Sequence, residues 1–182
     1  MTICIFPGTF NPIHQGHLKM AEFALNKFNF DKIIFVPAYI PPHKEIDKKL
    51  AEHRYNMVKL AISENPDFEI SDFEYKQNGK SYSILTVKHF IEKYSIKGKL
   101  NFIIGTDAFS KIDSWYHAEE LKSLVHFIVF PRRGTNIELS DWDYELTEME
   151  YVDISSTEIR TTNCKSCNKV EEYIKENGLY KI

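Results

Sequence analysis

Cysteine is scarce in this chain, with three residues in 182. A small, odd number cannot build a disulfide scaffold and fits a reducing compartment, so a cytoplasmic location is expected. Long apolar runs are missing. None approaches the roughly 20 residues that span a bilayer, which argues against a membrane protein. No basic stretch precedes the first apolar run, so a secretory leader is not expected. Positive charge is not in excess either, the formal net charge being -3. Without a global positive field, nonspecific binding to a nucleic-acid backbone is not expected, yet a small basic pocket remains compatible with that sum. Internal repeats, low-complexity tracts and Gly/Ser linkers are also absent. What is present is a globular composition: 43% hydrophobic, 27% charged and 14% aromatic residues. That length and composition predict one domain, residues 1–182, with a sizeable core.

Short apolar runs alternate with helical spacing along the chain. Ile3 to Phe6, Ile33 to Val36, Leu100 to Ile104 and Val125 to Phe130 read as buried strands, with shorter ones at Phe68 to Ile70 and Tyr151 to Ile154. Helical spacing covers His17 to Phe28, Asp47 to Ser63, Ser83 to Tyr94 and His117 to Leu124. In the Ser83 helix, Leu85, His89 and Phe90 are expected to face inward. A terminal helix spans about 168–177, with Gly178 as its C-cap. Thr135 to Glu150 is rich in carboxylates and reads as a solvated acidic excursion. The alternation predicts an α/β fold, a mostly parallel sheet with helices on both faces. Pro7-Gly8, Pro37, Gly105 and Pro131 each follow a predicted strand. Tight turns therefore gather on the rim where open parallel sheets bind ligands.

The first chemical signal is Gly8-Thr9-Phe10-Asn11-Pro12-Ile13-His14-Gln15-Gly16-His17, between the first strand and the first helix. Gly8 lets the backbone turn sharply and approach a ligand. Amides at the start of the following helix attract an anion. His14 and His17, three apart, fall on one side of the helix start. Two imidazoles beside exposed amides suit a phosphate gaining charge in a transition state. The alternatives are a zinc pair, which lacks a nearby third ligand, and two unrelated surface histidines. The string Gly-x-Phe-x-Pro-x-His-x-Gly-His resembles the nucleotidyltransferase motif of the adenylyltransferase and cytidylyltransferase superfamily. That resemblance implies a Rossmann-like, doubly wound fold and nucleotidyl transfer from a nucleoside triphosphate.

Near the other end stands Ile154-Ser155-Ser156-Thr157-Glu158-Ile159-Arg160. Locally it reads as a capping box, with Glu158 three residues after Ser155. It also offers hydroxyls and amides at a helix start, and a guanidinium that can clamp phosphates. It is similar to the superfamily's second motif. A third set narrows the resemblance: Pro41-Pro42-His43-Lys44, Ser81-Tyr82-Ser83, Ile103-Ile104-Gly105-Thr106-Asp107, Trp115-Tyr116 and Arg132. Together, and in this order, they resemble bacterial nicotinate-nucleotide adenylyltransferases, as does the closing Glu176-Asn177-Gly178-Leu179-Tyr180. The chain departs from the family pattern at Pro7, where glycine is usual, at Asn11, where aspartate is usual, and at Ser83, where threonine is usual. Thr161 to Lys169 is shorter than the family's segment and carries Cys164-x-x-Cys167, which reads as a redox pair or half a zinc site.

The resemblance implies adenylyl transfer from ATP to nicotinate mononucleotide, with Mg²⁺ bridging phosphates. It implies catalytic roles for His14, His17, Lys44 and Arg160. Gly8, Thr9, Phe10, Gly105, Asp107, Arg132, Ser156 and Thr157 would surround ATP. Trp115 would stack on the pyridine ring, with amides near Ser83 and Tyr116 binding its carboxylate. Partners are then small molecules, with neither nucleic acid nor membrane, and a homo-oligomer is compatible with the sequence. Phosphopantetheine adenylyltransferase is the rival enzyme, and a nonenzymatic nucleotide sensor the rival from another class.

Overall fold

The computed structural model describes residues 1–42, 47–77, 79–132, 137, 141–149 and 168–180. Four strands are built from β-branched and aromatic residues buried on both sides. They are β1 (Ile3–Gly8), β2 (Lys32–Pro37), β4 (Leu100–Gly105) and β5 (Val125–Phe130). Two shorter strands, β3 (Phe68–Ile70) and β6 (Tyr144–Leu146), form the edges. All pairings are parallel, and the sheet runs β3-β2-β1-β4-β5-β6.

Successive side chains on a strand point to opposite faces, and the core divides accordingly. Ile3 and Ile5 of β1, Ile34 of β2 and Phe127 of β5 face one layer; Cys4, Phe6, Phe35 and Ile128 face the other. The first layer is covered by α4 (Ser83–Lys93) and α6 (Ala118–Leu124), through Ile84, Val87, Phe90 and Leu121. The second is covered by α1 (Gln15–Lys27), α2 (Ala51–Ala61) and α7 (Asn168–Glu176), through Ala21, Ala24, Met57, Val58 and Val170. Short helices α3 (Phe73–Lys76) and α5 (Thr106–Phe109) fill connections. This is the doubly wound, Rossmann-like arrangement that the sequence predicts. Its consequence is positional. From β1 the chain builds outward through β2 and β3; from β4 it builds the other way. The strand order reverses between β1 and β4, so the crevice where open parallel sheets bind ligands is expected beyond their carboxyl ends, at Gly8 and Gly105.

Several local expectations change. The acidic stretch is not simply a solvated excursion. Within it Tyr144–Leu146 pairs with β5, and Trp142, 5% exposed, packs edge-on to Phe127 and Phe109. A three-residue edge strand amid carboxylates is too short to show an apolar period. In α4 the inward residues are Ile84, Val87 and Phe90, whereas Leu85 is 42% exposed. His89 is half-buried and stacks on Phe73 at 4.0 Å. The helix expected from Asp47 begins as a 3-10 turn, Lys48–Leu50, capped by the Asp47 carboxylate on Lys49 N–H. Gly178 does end α7, at φ 59°, with Leu179 N–H donating to Ile174 O and Gly178 N–H to Lys175 O. The strand expected at Tyr151 to Ile154 lies outside the described residues.

Candidate active site

The crevice wall at β1 is set by one close contact. A side-chain carbon on Gly8 would lie 3.0–3.2 Å from the Phe10 ring. Phe10 takes φ 49° and turns that ring inward, where it is 3% exposed and packs against Phe6, Phe35 and His17. Phe10 therefore offers backbone to the rim; its ring belongs to the core. A larger residue at position 8 would need the Phe10 ring to give by a few tenths of an ångström.

The chain then enters α1 through a cap made of two histidines. His14 is the N-cap residue, and its Nδ1 accepts the Gly16 N–H at 3.0 Å. His17 Nδ1 accepts the His14 N–H at 3.1 Å. In a capping box this reciprocal arrangement normally uses a hydroxyl and a carboxylate. Here both acceptors are imidazole nitrogens, so in each neutral ring the proton sits on Nε2. The rings stack with centroids 3.8 Å apart. Burial, and then the nearby Arg132 charge, lower the His14 pKa to about 4. His14 is thus a neutral N–H donor at physiological pH. The zinc-pair alternative loses ground, since both Nδ1 atoms are committed to amides. Among the described residues no group of three or more His, Cys, Asp or Glu could hold a metal ion.

The opposite wall comes from β4 and β5. Gly105 leads into α5, Thr106 Oγ1 accepts the Arg132 N–H at 2.9 Å, and Arg132 Nη1 meets Asp107 Oδ2 at 3.0 Å. Both charged side chains remain well exposed, so the pair orients the guanidinium more than it stabilises the fold. Its field reaches His14 across the crevice. The structure thus brings Gly8, Thr9, His14, His17, Gly105, Asp107 and Arg132 to one rim.

The third wall starts at α4. Ser83 is its first residue, and the first-turn amides at Ser83 and Ile84 have no partner within the helix. Tyr82, just before it, lies against Tyr116 with ring centroids 4.5 Å apart. Tyr116 is 51% exposed, whereas Trp115 is half-buried against the core beside Phe102. The exposed aromatic is therefore Tyr116, backed by the half-buried Tyr82, while Trp115 packs against the core. Tyr82 was not singled out from sequence, although it stands inside a quoted motif. Behind this wall Glu74 is buried. Its carboxylate accepts from Thr86 Oγ1 at 2.5 Å and from Ser81, and desolvation raises its pKa to about 7.

Two further contacts carry no local sequence signal. Arg54, on α2, is buried and donates to the Thr9, Ala38 and Tyr39 carbonyls. The Tyr180 hydroxyl donates to Asn11 Oδ1, tying the C-terminal turn to the first motif. Lys44, Ser156, Thr157, Arg160, Cys164 and Cys167 lie outside the described residues. Cys4 is buried in the sheet, which pushes its thiol pKa up and keeps it unreactive. Among the described residues, no helix is long and apolar enough to cross a membrane.

Residues 5–162 match the family model described as cytidylyltransferase-like. A relative from Caldicellulosiruptor saccharolyticus, named "Probable nicotinate-nucleotide adenylyltransferase", is 45% identical over 198 aligned positions, covering 100% of both chains. A relative of the same name from Clostridium tetani is 39% identical, covering 97% of this chain and 98% of its own. Among solved structures, the nicotinic acid mononucleotide adenylyltransferase of Plasmodium falciparum, complexed with NaAD, superimposes with a TM-score of 0.84 at 23% identity. That match covers 98% of this chain and 97% of the other, and supports the fold. With motif order, crevice geometry and full-length similarity in agreement, this chain belongs to the cytidylyltransferase-like family and, within it, to the nicotinate-nucleotide adenylyltransferases.

Proposed function

We propose that this protein transfers the adenylyl group of ATP to nicotinate mononucleotide, forming nicotinate adenine dinucleotide and pyrophosphate. The observation that carries this reading is the histidine pair, held by backbone amides at the start of α1 beside the β1/β4 crevice. A phosphate oxygen of the mononucleotide attacks the α-phosphorus of ATP. The bond from that phosphorus to the oxygen bridging the β-phosphate breaks, and pyrophosphate leaves with the electron pair. A phosphate monoester is mostly dianionic at neutral pH, its second pKa being about 6, so no general base is needed. Catalysis is then positioning plus stabilisation of charge on the phosphate oxygens. The Nε2–H groups of His14 and His17 are suited to that as neutral, preorganised donors. Neutral rings also avoid the cost of holding two stacked cations apart.

In this reading Gly8 and Thr9 line ATP with backbone, and Arg132, aimed by Asp107, adds positive charge on the far side. Gly105 and Asp107 flank the ribose. Lys44, Ser156, Thr157 and Arg160 complete the phosphate contacts. Magnesium enters as part of the MgATP substrate and offsets phosphate charge. The nicotinate carboxylate is placed at the α4 amides near Ser83, with the pyridine ring against Tyr116 and Trp115. The reaction belongs in the cytoplasm, and its partners are these small molecules.

The test is pyrophosphate release from MgATP with nicotinate mononucleotide, nicotinamide mononucleotide or phosphopantetheine as acceptor. Release is expected to be fastest with nicotinate mononucleotide. Release with phosphopantetheine alone would reassign the substrate, and none with any acceptor would point to a nucleotide sensor.

A further inference from the structure

Among the described residues, the hydrogen bonds of the buried Arg54 guanidinium go to neutral carbonyls. The residue is fully buried on α2. Among the described residues its Nε has no hydrogen-bond partner. Burial lowers its pKa, but an arginine stays charged at any working pH. Burying a charge without an ionic partner is costly, so the geometry of what it holds is informative.

Nη1 meets Thr9 O at 2.9 Å and Ala38 O at 2.5 Å, and Nη2 meets Tyr39 O at 2.9 Å. Thr9 belongs to the first-motif loop after β1. Ala38 and Tyr39 begin the loop after β2, which leads into Pro41-Pro42. The β1/β2 ladder stops with the Gly8–Pro37 pair and the Ala38 N–H to Gly8 O bond at 2.8 Å. Among the described residues no ladder bond joins the two segments beyond it. Arg54 bridges them at that point, and its planar fork spans three carbonyls that no point charge could match.

The same loop is gripped from the other side. Ser81 Oγ accepts the Tyr39 and Ile40 amides at 3.1 and 3.3 Å, and Ser81 N–H donates to Ile40 O at 2.8 Å. Carbonyls go to Arg54 and amides to Ser81. The loop after β2 is therefore clamped between the wall carrying the first motif and the wall at α4.

We propose that Arg54 is a positioning residue for adenylyl transfer, holding the first-motif loop, with its ATP-side backbone at Gly8 and Thr9, in register with the start of the loop after β2 at Ala38 and Tyr39. The proposal rests on the adenylyl-transfer reading, and the two fail in different ways. Wild-type enzyme that releases no pyrophosphate sinks that reading.

With active wild-type enzyme, Arg54→Lys and Arg54→Met are compared for kcat and for the KM of each substrate, with the melting temperature recorded. Arg54→Met should lower kcat by about 10²-fold, the scale of a misplacement near 1 Å, and raise the KM for ATP. Arg54→Lys should show a smaller loss of the same kind, because it keeps the charge and loses the fork. The KM for nicotinate mononucleotide should stay unchanged. A lowered melting temperature with wild-type kinetic constants would overturn the proposal, as would equal rises in both KM values. If neither variant folds, amide hydrogen exchange on the wild type decides. Adding a nonhydrolysable ATP analogue should raise protection at residues 9–10 and 39–40 together. A response at one loop without the other overturns the proposal.

Discussion

In the proposed reaction His17 would combine a structural duty with a chemical one. Its Nδ1 closes the cap of α1, which fixes the ring and leaves the proton on Nε2. Only a side chain that can accept on one atom and donate from another does both. His17→Ala should therefore lower turnover by roughly 10²-fold or more, as expected when one positioned donor to transition-state charge is lost. Near-normal turnover in that variant would remove His17 from the reaction. His14 is matched to it but more deeply buried. Neither role could be assigned from the spacing His-x-x-His alone. That spacing fits a metal pair equally well until the two Nδ1 partners are known.

At the scale of elements, the proposed acceptor wall is the start of α4 with the loop before α6. Trp115 and Tyr116 are adjacent in sequence but differ in environment, one half-buried on the core and the other 51% exposed. Tyr116→Ala should raise the KM for nicotinate mononucleotide more than that for ATP, with little change in melting temperature. Trp115→Ala should raise the same KM and also lower the melting temperature, because it opens a gap above Phe102. Steady-state kinetics with each substrate varied, alongside a thermal melt, separate the two. Equal effects on both substrates would argue against an aromatic platform for the pyridine ring.

Over the whole molecule, two buried groups set opposing pH dependences. His14 has its pKa lowered from 6.5 to about 4. Between those values the unfolded chain holds the proton and the folded one does not. Its contribution to stability is complete above 6.5 and is lost as pH falls toward 4. Glu74 has its pKa raised from 4.5 to about 7, so its contribution is complete below 4.5 and is lost as pH rises toward 7. From pH 4.5 to 6.5 the two slopes oppose one another. His14→Gln should therefore leave a melting temperature that falls with rising pH in that window. Glu74→Gln should leave one that rises. Melts across the window in both variants check the signs, and parallel curves would refute the assignment.

Much of the architecture follows from the sequence alone. Continuous apolar strands alternating with helical spacing require a parallel sheet covered on both faces. The turn residues mark its ligand-binding rim, because apolar burial and backbone geometry act over a few residues. The two motifs likewise identify the chemistry, since phosphate transfer needs donors of fixed type at fixed spacing. Tertiary structure decides what depends on distant partners. It keeps His14 neutral through burial and the Arg132 charge, and leaves Tyr116 exposed while Trp115 packs against the core. It draws Tyr144–Leu146 into the sheet as an edge strand. It also places Arg54 beneath two loops that are 29 residues apart in the chain, from Thr9 to Ala38. On the sequence Arg54 is one more polar residue on a helix. Its three carbonyl partners meet only once β1 and β2 lie side by side, because a guanidinium's role is set by the groups within hydrogen-bond reach.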